Sequence, residues 1–178
     1  MILIKSIETP RESGFYFSTR EDAFVHKEKL FKISNFDDYD FLPSTKHMII
    51  KNQDKMTGCF RLIFENHPIC KNLKIKIPEP AFEISRLVIT ESNIITHLEL
   101  MRILYKIAFN QHIKFLVGEI LDKDFSNSIR RLFSKSVIYY GSVRINDPGV
   151  SENKFCYPIM INIKALSEDR VYKKIITK

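Results

Sequence analysis

Phe82-Glu83-Ile84-Ser85-Arg86-Leu87-Val88-Ile89 reads as a short strand with an apolar frame and a carboxylate, a hydroxyl and a guanidinium between Glu83 and Arg86. Charges set among Ile, Leu and Val cost several kcal/mol unless they are paired or hydrogen-bonded. A second stretch has the same character: Gly58-Cys59-Phe60-Arg61-Leu62-Ile63-Phe64 is an apolar strand with one arginine in its middle. Two strands that look like core therefore each carry an arginine. Either salt-bridge partners or a functional site must account for them.

Working outward, His47–Lys51 and Met56–Phe64 form a hairpin around Asn52-Gln53-Asp54-Lys55. Upstream, Met1–Glu8 is a strand ended by Thr9-Pro10. Ser18 with Glu21 suggests a capping box for a helix over Thr19–Phe31, which buries Phe24, Leu30 and Phe31. Arg20 then lies in a first turn, where the helix dipole favours an acid, so a specific partner is expected for it. An acidic loop follows, Asn35-Phe36-Asp37-Asp38-Tyr39-Asp40-Phe41, with carboxylates among aromatics. Downstream, Thr96 with Glu99 suggests a second capping box and a helix to about His112. The fully apolar Lys114–Ile120 directly after it points to parallel pairing inside a sheet. A helix over Asp124–Ser134 buries Phe125, Ile129, Leu132 and Phe133. Val137–Ile145 and Phe155–Ile163 are strands joined by a loop with Asp147-Pro148-Gly149. The order is β-α-β-β-β-α-β-α-β-β, an α/β (α+β) chain with a mixed central sheet flanked by helices. Residues 1–165 form a single domain on this reading, and 166–178 a charged C-terminal tail.

The formal charge is +7, which points to an acidic partner without choosing among nucleic acid, membrane and protein. The basic residues are dispersed, so no nucleic-acid tail is indicated. Cys59, Cys70 and Cys156 are odd in number and lack CxxC spacing, as expected for reduced, buried thiols. No apolar run reaches the ~20 residues of a membrane span, and a cytoplasmic location is expected. The histidines show no metal-ligand spacing, so no metal is expected.

The first-helix pair Arg20 and Phe24, the acidic pattern Phe36-Asp37-Asp38-Tyr39-Asp40, Gly58-Cys59-Phe60-Arg61-Leu62 and Glu83-Ile84-Ser85-Arg86 occur in order, each on its own element. This set resembles the GNAT-like acyltransferases, in the group that holds acyl-homoserine lactone synthases, long-chain N-acyl amino acid synthases and exosortase-associated acyltransferases. The resemblance implies a GNAT-like fold, with a bulged strand over Ile84–Arg86 that splays from its neighbour. A bulge near Ser85 would bring Glu83 and Arg86 to one side, where a regular strand separates them. It also implies an N-acyltransferase that moves a fatty acyl group from a thioester donor to the amine of a small acceptor such as an amino acid. No tightly bound cofactor is implied. The donor is acyl carrier protein or acyl-CoA. The turn Thr90-Glu91-Ser92-Asn93-Ile94-Ile95 lacks glycine and carries an acid, which suits a pyrophosphate poorly and favours the carrier protein.

Amide formation needs a general base, donors for an oxyanion and alignment of two substrates. Glu83 is the candidate base, and Ser85 lies beside it as a second catalytic candidate. Asp37 and Asp40 can hold an ammonium. Arg20, Arg61 and Arg86 can hold a carboxylate through a bidentate fork, with Phe24 beside them. Arg130, Arg131 and Lys135 are the candidate docking residues for the carrier protein. The competing reading of the same residues is a structural network in which the arginines pair Asp37, Asp40 and Glu83. A second reading of function is an acyl-homoserine lactone synthase that uses S-adenosylmethionine. The absence of Trp, with Leu30 about where the lactone synthases carry one, argues against it. A third is an inactive GNAT-like interaction protein or a nucleic-acid-binding module.

Overall fold

The structure is a computed structural model that describes residues 2–69, 76–91, 94–145 and 149–176. Its strands are β1 (Ile2–Ser6), β2 (Thr45–Asn52), β3 (Lys55–Ile63), β4 (Ala81–Ile89), β5 (Phe115–Ile120), β6 (Val137–Tyr139), β7 (Val143–Arg144) and β8 (Phe155–Asn162). Its helices are α1 (Pro10–Glu21), α2 (Ile94–Asn110), α3 (Lys123–Leu132), α4 (Ile163–Glu168) and α5 (Arg170–Ile176). A π-helical turn, Asp22–Lys27, continues α1, and a 3-10 turn spans Asp38–Phe41. The strands form one sheet in the order β1-β2-β3-β4-β5-β8-β6, with β7 also on β8. Among the described residues only the β4–β5 pair is parallel. The apolar strand after α2 thus takes the interior parallel position that its composition suggested.

Alternation along the strands sorts side chains onto two faces. One face carries Met48, Ile50, Phe60, Leu62, Phe82, Leu116, Ile159 and Ile161 into the main core. Leu100, Leu104 and Ala108 of α2 cover it, with Phe133, Leu166 and Tyr172. Each fully buried side chain of this size stabilises by about 1.5–3 kcal/mol. The other face carries Ile49, Cys59, Arg61, Ile63, Glu83 and Val117, all nearly inaccessible. Tyr16 of α1 lies over Ile49 and Cys59 there. The thiols of Cys59 and Cys156 are buried, and burial pushes each up to about 12, as befits inert core cysteines. Cys70, Ser92, Asn93, Asp147 and Pro148, and the side chains of Phe125 and Leu132, lie outside the described residues.

Several local expectations give way. Thr9-Pro10 follows the first strand, which ends at Ser6, and also starts α1. The Thr9 hydroxyl accepts the Glu12 N–H and Pro10 takes the first turn, where its missing N–H costs nothing. Ser18 is inside α1 and bonds the Phe15 carbonyl. Arg20 is therefore in the last turn, where the helix dipole favours a cation. Thr96 is likewise inside α2, which begins at Ile94. The segment read as one strand, 137–145, is broken into β6 and β7 around Gly141, whose φ is +81°. The segment read as a charged tail holds the second half of α4 and all of α5, and sends Leu166 and Tyr172 into the main core.

Gly58 sets how closely β3 and β4 approach. A Cβ there would stand 2.6 Å from the Val88 carbonyl oxygen and 3.1 Å from Ile50 Cδ1. The first contact is backbone and cannot yield without parting the strands. Gly58→Ala is expected to cost about 1–3 kcal/mol, read as a lower urea midpoint at unchanged slope.

Candidate active site

The bulge sits where the charged strand requires it. On β3, Cys59 pairs with Val88 and Arg61 with Ser85, so Phe60 faces two residues, Arg86 and Leu87. Arg86 takes φ +55°, a left-handed conformation that costs a non-glycine residue roughly 1–2 kcal/mol. The result is that Ser85 and Arg86 project to the same face as Arg61 and Glu83. The strand also splays. β4 pairs with β5 only from Ala81↔Phe115 to Ile84↔Gly118, and beyond Ile84 it has no sheet partner on that side among the described residues. A slot therefore opens beside the bulge.

Three arginines and two aspartates meet at this place. Arg20 Nη1 and Nη2 hold Asp40 Oδ1 and Oδ2 at 2.7 and 3.1 Å. Arg61 Nη1 and Nη2 hold Asp37 Oδ1 and Oδ2 at 2.6 and 3.0 Å. Arg61 Nη1 also reaches Asp40 Oδ1 at 2.8 Å, and Nη2 reaches Ser85 Oγ at 3.2 Å. Arg86 Nη2 donates to Asp37 Oδ2 at 3.0 Å. Burial opposes ionisation of Asp40, yet the Arg20 hydrogen bonds and the Arg61 charge bring it down to about 2. Asp37 is also lowered against its burial, chiefly by Arg61. The cage keeps one unit of positive charge in excess. That excess lies toward Arg86, whose guanidinium is brought down to about 10 by burial and by the like charge of Arg61.

The acidic loop can wrap this cage because its own backbone is capped there. Asp37 accepts the Tyr39 N–H, and Asp40 Oδ2 accepts the Asp37 N–H, a reciprocal box around the 3-10 turn. The Asn35 carbonyl accepts from Arg20 Nη2 at 2.9 Å, and its side-chain amide donates to Glu21 at 2.5 Å. Phe24, in the π-helical turn, is buried and accepts both the Leu30 and Phe31 N–H groups at its carbonyl. Its ring centre lies 5.8 Å from Arg86 Cζ, and that of Phe31 lies 4.1 Å away. The aromatic faces support the guanidinium that has the fewest carboxylate contacts.

Glu83 stands apart from the arginines. Its Oε2 accepts the Ile69 N–H at 3.0 Å, and no arginine among the described residues lies within ion-pair distance of it. Burial pushes its carboxyl up to about 8. The structural reading that paired Glu83 with arginine is thereby corrected: the arginines hold Asp37, Asp40 and Ser85, and Glu83 holds backbone. Two further residues join the network: Tyr16, which carried no site reading from sequence, and His47, which the sequence reads as a satisfied hairpin residue rather than a catalyst. Tyr16 Oη accepts from Arg20 Nη1 at 2.9 Å and contacts His47 Nδ1 at 2.9 Å. His47 Nε2 lies 3.0 Å from the Asp40 carbonyl oxygen, which can only accept, so Nε2 carries the proton and Tyr16 donates to Nδ1. The signal for Tyr16 was its spacing of four from Arg20, visible only once α1 starts at Pro10.

Arg130, Arg131 and Lys135 lie elsewhere. Arg130 and Arg131 line a shallow cavity of about 660 Å³ with Asn127, Ser134, Val137 and Tyr139. The Arg130 guanidinium sits 5.1 Å over the Tyr139 ring. Lys135 is exposed just past the end of α3. β6 is three strands from β4, about 14 Å along the sheet. Among the described residues no group of His, Cys, Asp and Glu is arranged to hold a metal ion. No described helix is long and apolar enough to cross a membrane.

No protein family and no curated protein matches the chain. Solved structures do. FeeM, an N-acyl amino acid synthase from uncultured soil microbes, superposes with a TM-score of 0.75 at 12% identity, over 98% of each chain. BjaI, a CoA-dependent acyl-homoserine lactone synthase solved with SAM and isopentyl-CoA, gives 0.66 at 18% identity, over 98% of this chain and 89% of its own. The lactone synthase LasI gives 0.66 at 19% identity, over 96% of this chain and 94% of its own. These likenesses establish the GNAT-like acyltransferase fold.

Proposed function

We propose that the chain is an N-acyltransferase that moves a fatty acyl group from a thioester donor to the amine of a small acceptor bearing a carboxylate. The observation that carries this reading is the bulged, splayed β4 beside a cage with surplus positive charge. In the slot, the backbone rim of β4 beyond Ile84 faces the thioester and supplies an N–H to its carbonyl oxygen. The acceptor carboxylate takes Arg86. Arg20 and Arg61 already hold Asp40 and Asp37 through bidentate contacts, and Phe24 bounds the Arg86 side of the site. Asp37, half-buried at the open end of the cage, faces the acceptor ammonium. Glu83 takes the proton from that ammonium, directly or through water. The neutral amine attacks the thioester carbon, and the tetrahedral intermediate collapses to the amide as its nitrogen gives up a second proton to the departing sulfur, which leaves as the free thiol. Ser85 holds Arg61 in register with the cage.

Acyl carrier protein is the donor on this reading, docked at Arg130, Arg131 and Lys135 by its acidic surface. BjaI was solved with an acyl-CoA, so both donors belong in the test. The protein is incubated with a range of acyl chains on carrier protein or on CoA, with pooled amines and amino acids, and N-acyl products are read by mass spectrometry. Products whose acceptors carry a carboxylate are expected. No N-acyl product from either donor overturns the reading. Release of methylthioadenosine with S-adenosylmethionine would point instead to lactone synthesis.

Arg86→Gly separates binding from folding. Glycine adopts φ +55° freely, so the substitution relieves backbone strain while removing the proposed carboxylate contact. Stability is expected to stay within about 1 kcal/mol of wild type. kcat/KM for the acceptor falls about tenfold to a hundredfold, the worth of a charge-assisted hydrogen bond. An unchanged KM would remove Arg86 from the acceptor site.

A further inference from the structure

Glu83 collects a proton in each round of the proposed reaction and must return it to water before the next. Its side chain is only 2% exposed, and its Oε2 accepts the Ile69 N–H. The nearby groups of the cage are poor carriers. Arg61 and Arg86 keep their protons and hold Asp37. Asp37 and Asp40 are kept ionised by the arginines, Asp40 down at about 2. His67, in the segment just before Ile69, is buried and turned toward Glu79, with Nε2 3.5 Å from Oε1.

The strand register points to β5. Glu83 pairs with Val117 and Ile84 with Gly118, the last pair before β4 and β5 part. Gly118 faces the main core beside Ile84, since a Cβ on it would meet Ile84 Cγ2 at 3.0 Å. Alternation then sets Glu119 on the opposite face, that of Glu83 and Arg61, on the β5 rim of the slot. It lies one strand across and two residues along from Glu83, about 8 Å between Cα atoms. Two glutamate side chains span that gap directly or through one water. Glu119 is partly exposed, where Glu83 is not. Burial is the main cause that holds the Glu83 carboxyl up at about 8, and the like charge of Glu119 acts in the same direction. Cys156 of β8 stands on the other side of Glu119, its thiol held up at about 12 by burial first and by that carboxylate second.

We infer that Glu83 and Glu119 form a carboxylate pair that shares one proton, in which Glu119 carries the proton from the buried base to solvent. An N–H bond of the acceptor ammonium breaks as an O–H bond forms on Glu83. That proton passes to the Glu119 carboxylate, Glu83 returns to its ionised form, and water or buffer takes the proton from Glu119. The use of the pair rests on the acyl-transfer reading, while the pairing itself is measurable without substrate.

Two measurements on the whole chain test it. Without substrate, the infrared carboxyl band that Glu83→Gln removes is followed against pH. In Glu119→Gln its midpoint is expected at lower pH than in wild type, because a like charge has gone. In turnover, kcat of Glu119→Gln is expected to fall about tenfold, short of the roughly hundredfold or more of a lost base. Added imidazole is expected to restore it, since a small buffer replaces the missing carrier. Glu119→Asp keeps the carboxylate and is expected to turn over independently of buffer, and circular dichroism checks that both variants fold. An unmoved Glu83 midpoint overturns the pair, whether or not the chain makes amides. Wild-type turnover by Glu119→Gln overturns the exit, and buffer dependence in His67→Gln instead moves it to the Glu79 side. No product from wild type, with a midpoint that still shifts, sinks the acyl-transfer reading and leaves the pair standing.

Discussion

Arg61→Ala lowers the unfolding free energy by about 3–5 kcal/mol, the cost of leaving buried carboxylates without their cation. Arg61 is 1% exposed and touches Asp37, Asp40 and Ser85. Removing it strips Asp37 of its bidentate partner and leaves Asp40 to Arg20 alone. The 3-10 turn depends on both aspartates, so the loop loosens with the cage. Arg61→Lys restores the charge but not the fork, and recovers only part of the loss. Acid unfolding adds a second readout. Asp40 is held at about 2 in the folded chain, below its unfolded value. Its contribution is therefore complete above an unfolded pKa of about 4 and is lost as pH falls toward 2. Arg61 supplies part of that lowering, so the variant's stability is expected to fall less steeply across this window. A denaturant midpoint within about 1 kcal/mol of wild type would show that the cage does not hold the loop.

Such a cage was legible in sequence because it breaks the usual rule for strands. Arginine among Ile, Leu and Val demands a partner, and the acidic loop was the evident source. The bulge was implied by the family resemblance, and it answers a geometric need, since only an extra residue brings Glu83, Ser85 and Arg86 to one face. The structure places it at Arg86–Leu87 opposite Phe60. What could not be read was the partner of Glu83. A backbone N–H leaves no mark on composition, and Ile69 looks like any core residue. Tyr16, in the network's second layer, was hidden by the placing of the first helix's start. Thr9-Pro10 fits both a strand end and a helix start, and Ser18-x-x-Glu21 imitates a capping box one turn from the true end of α1. In the C-terminal segment, charge masked the contribution to the core. Arg170, Lys173 and Lys174 surround a tyrosine that is wholly buried.

These particulars separate two kinds of buried charge. Arg20, Arg61 and Asp40 pair their charges with one another, which lets them stand in the core without a ligand. Arg86 and Glu83 are less fully compensated. One sits on strained backbone with a single carboxylate contact, and the other has no cation within ion-pair distance among the described residues. Strain and unbalanced burial of this kind concentrate where a protein handles a substrate. On the proposed reading the mutually paired arginines and aspartates are scaffold, and the chemistry falls to Arg86 and Glu83.

Glu83→Gln is expected to lower kcat by about a hundredfold to ten-thousandfold, the range of a lost general base. The more discriminating readout is pH. Burial holds the Glu83 carboxyl up to about 8, so at neutral pH most of it carries a proton and cannot accept another. The wild-type rate should climb with pH through this region and level off above it. An acceptor ammonium also loses its proton as pH rises, so the wild-type limb alone is ambiguous. The glutamine variant resolves it, because its profile keeps only the limb of the acceptor. The oxygen of the introduced amide can still accept the Ile69 N–H, so the fold should survive. Its stability carries the opposite sign from that of the cage variants. The raised pKa means wild type is most favoured below the unfolded value of about 4.3 and loses that advantage as pH rises through about 8. The variant has no such loss and is expected to be the more stable of the two at alkaline pH, by denaturant titration. A variant that is more stable at alkaline pH yet fully active, with an unchanged rate profile, would make Glu83 an anchor of the Ile69 segment and move the base elsewhere in the slot.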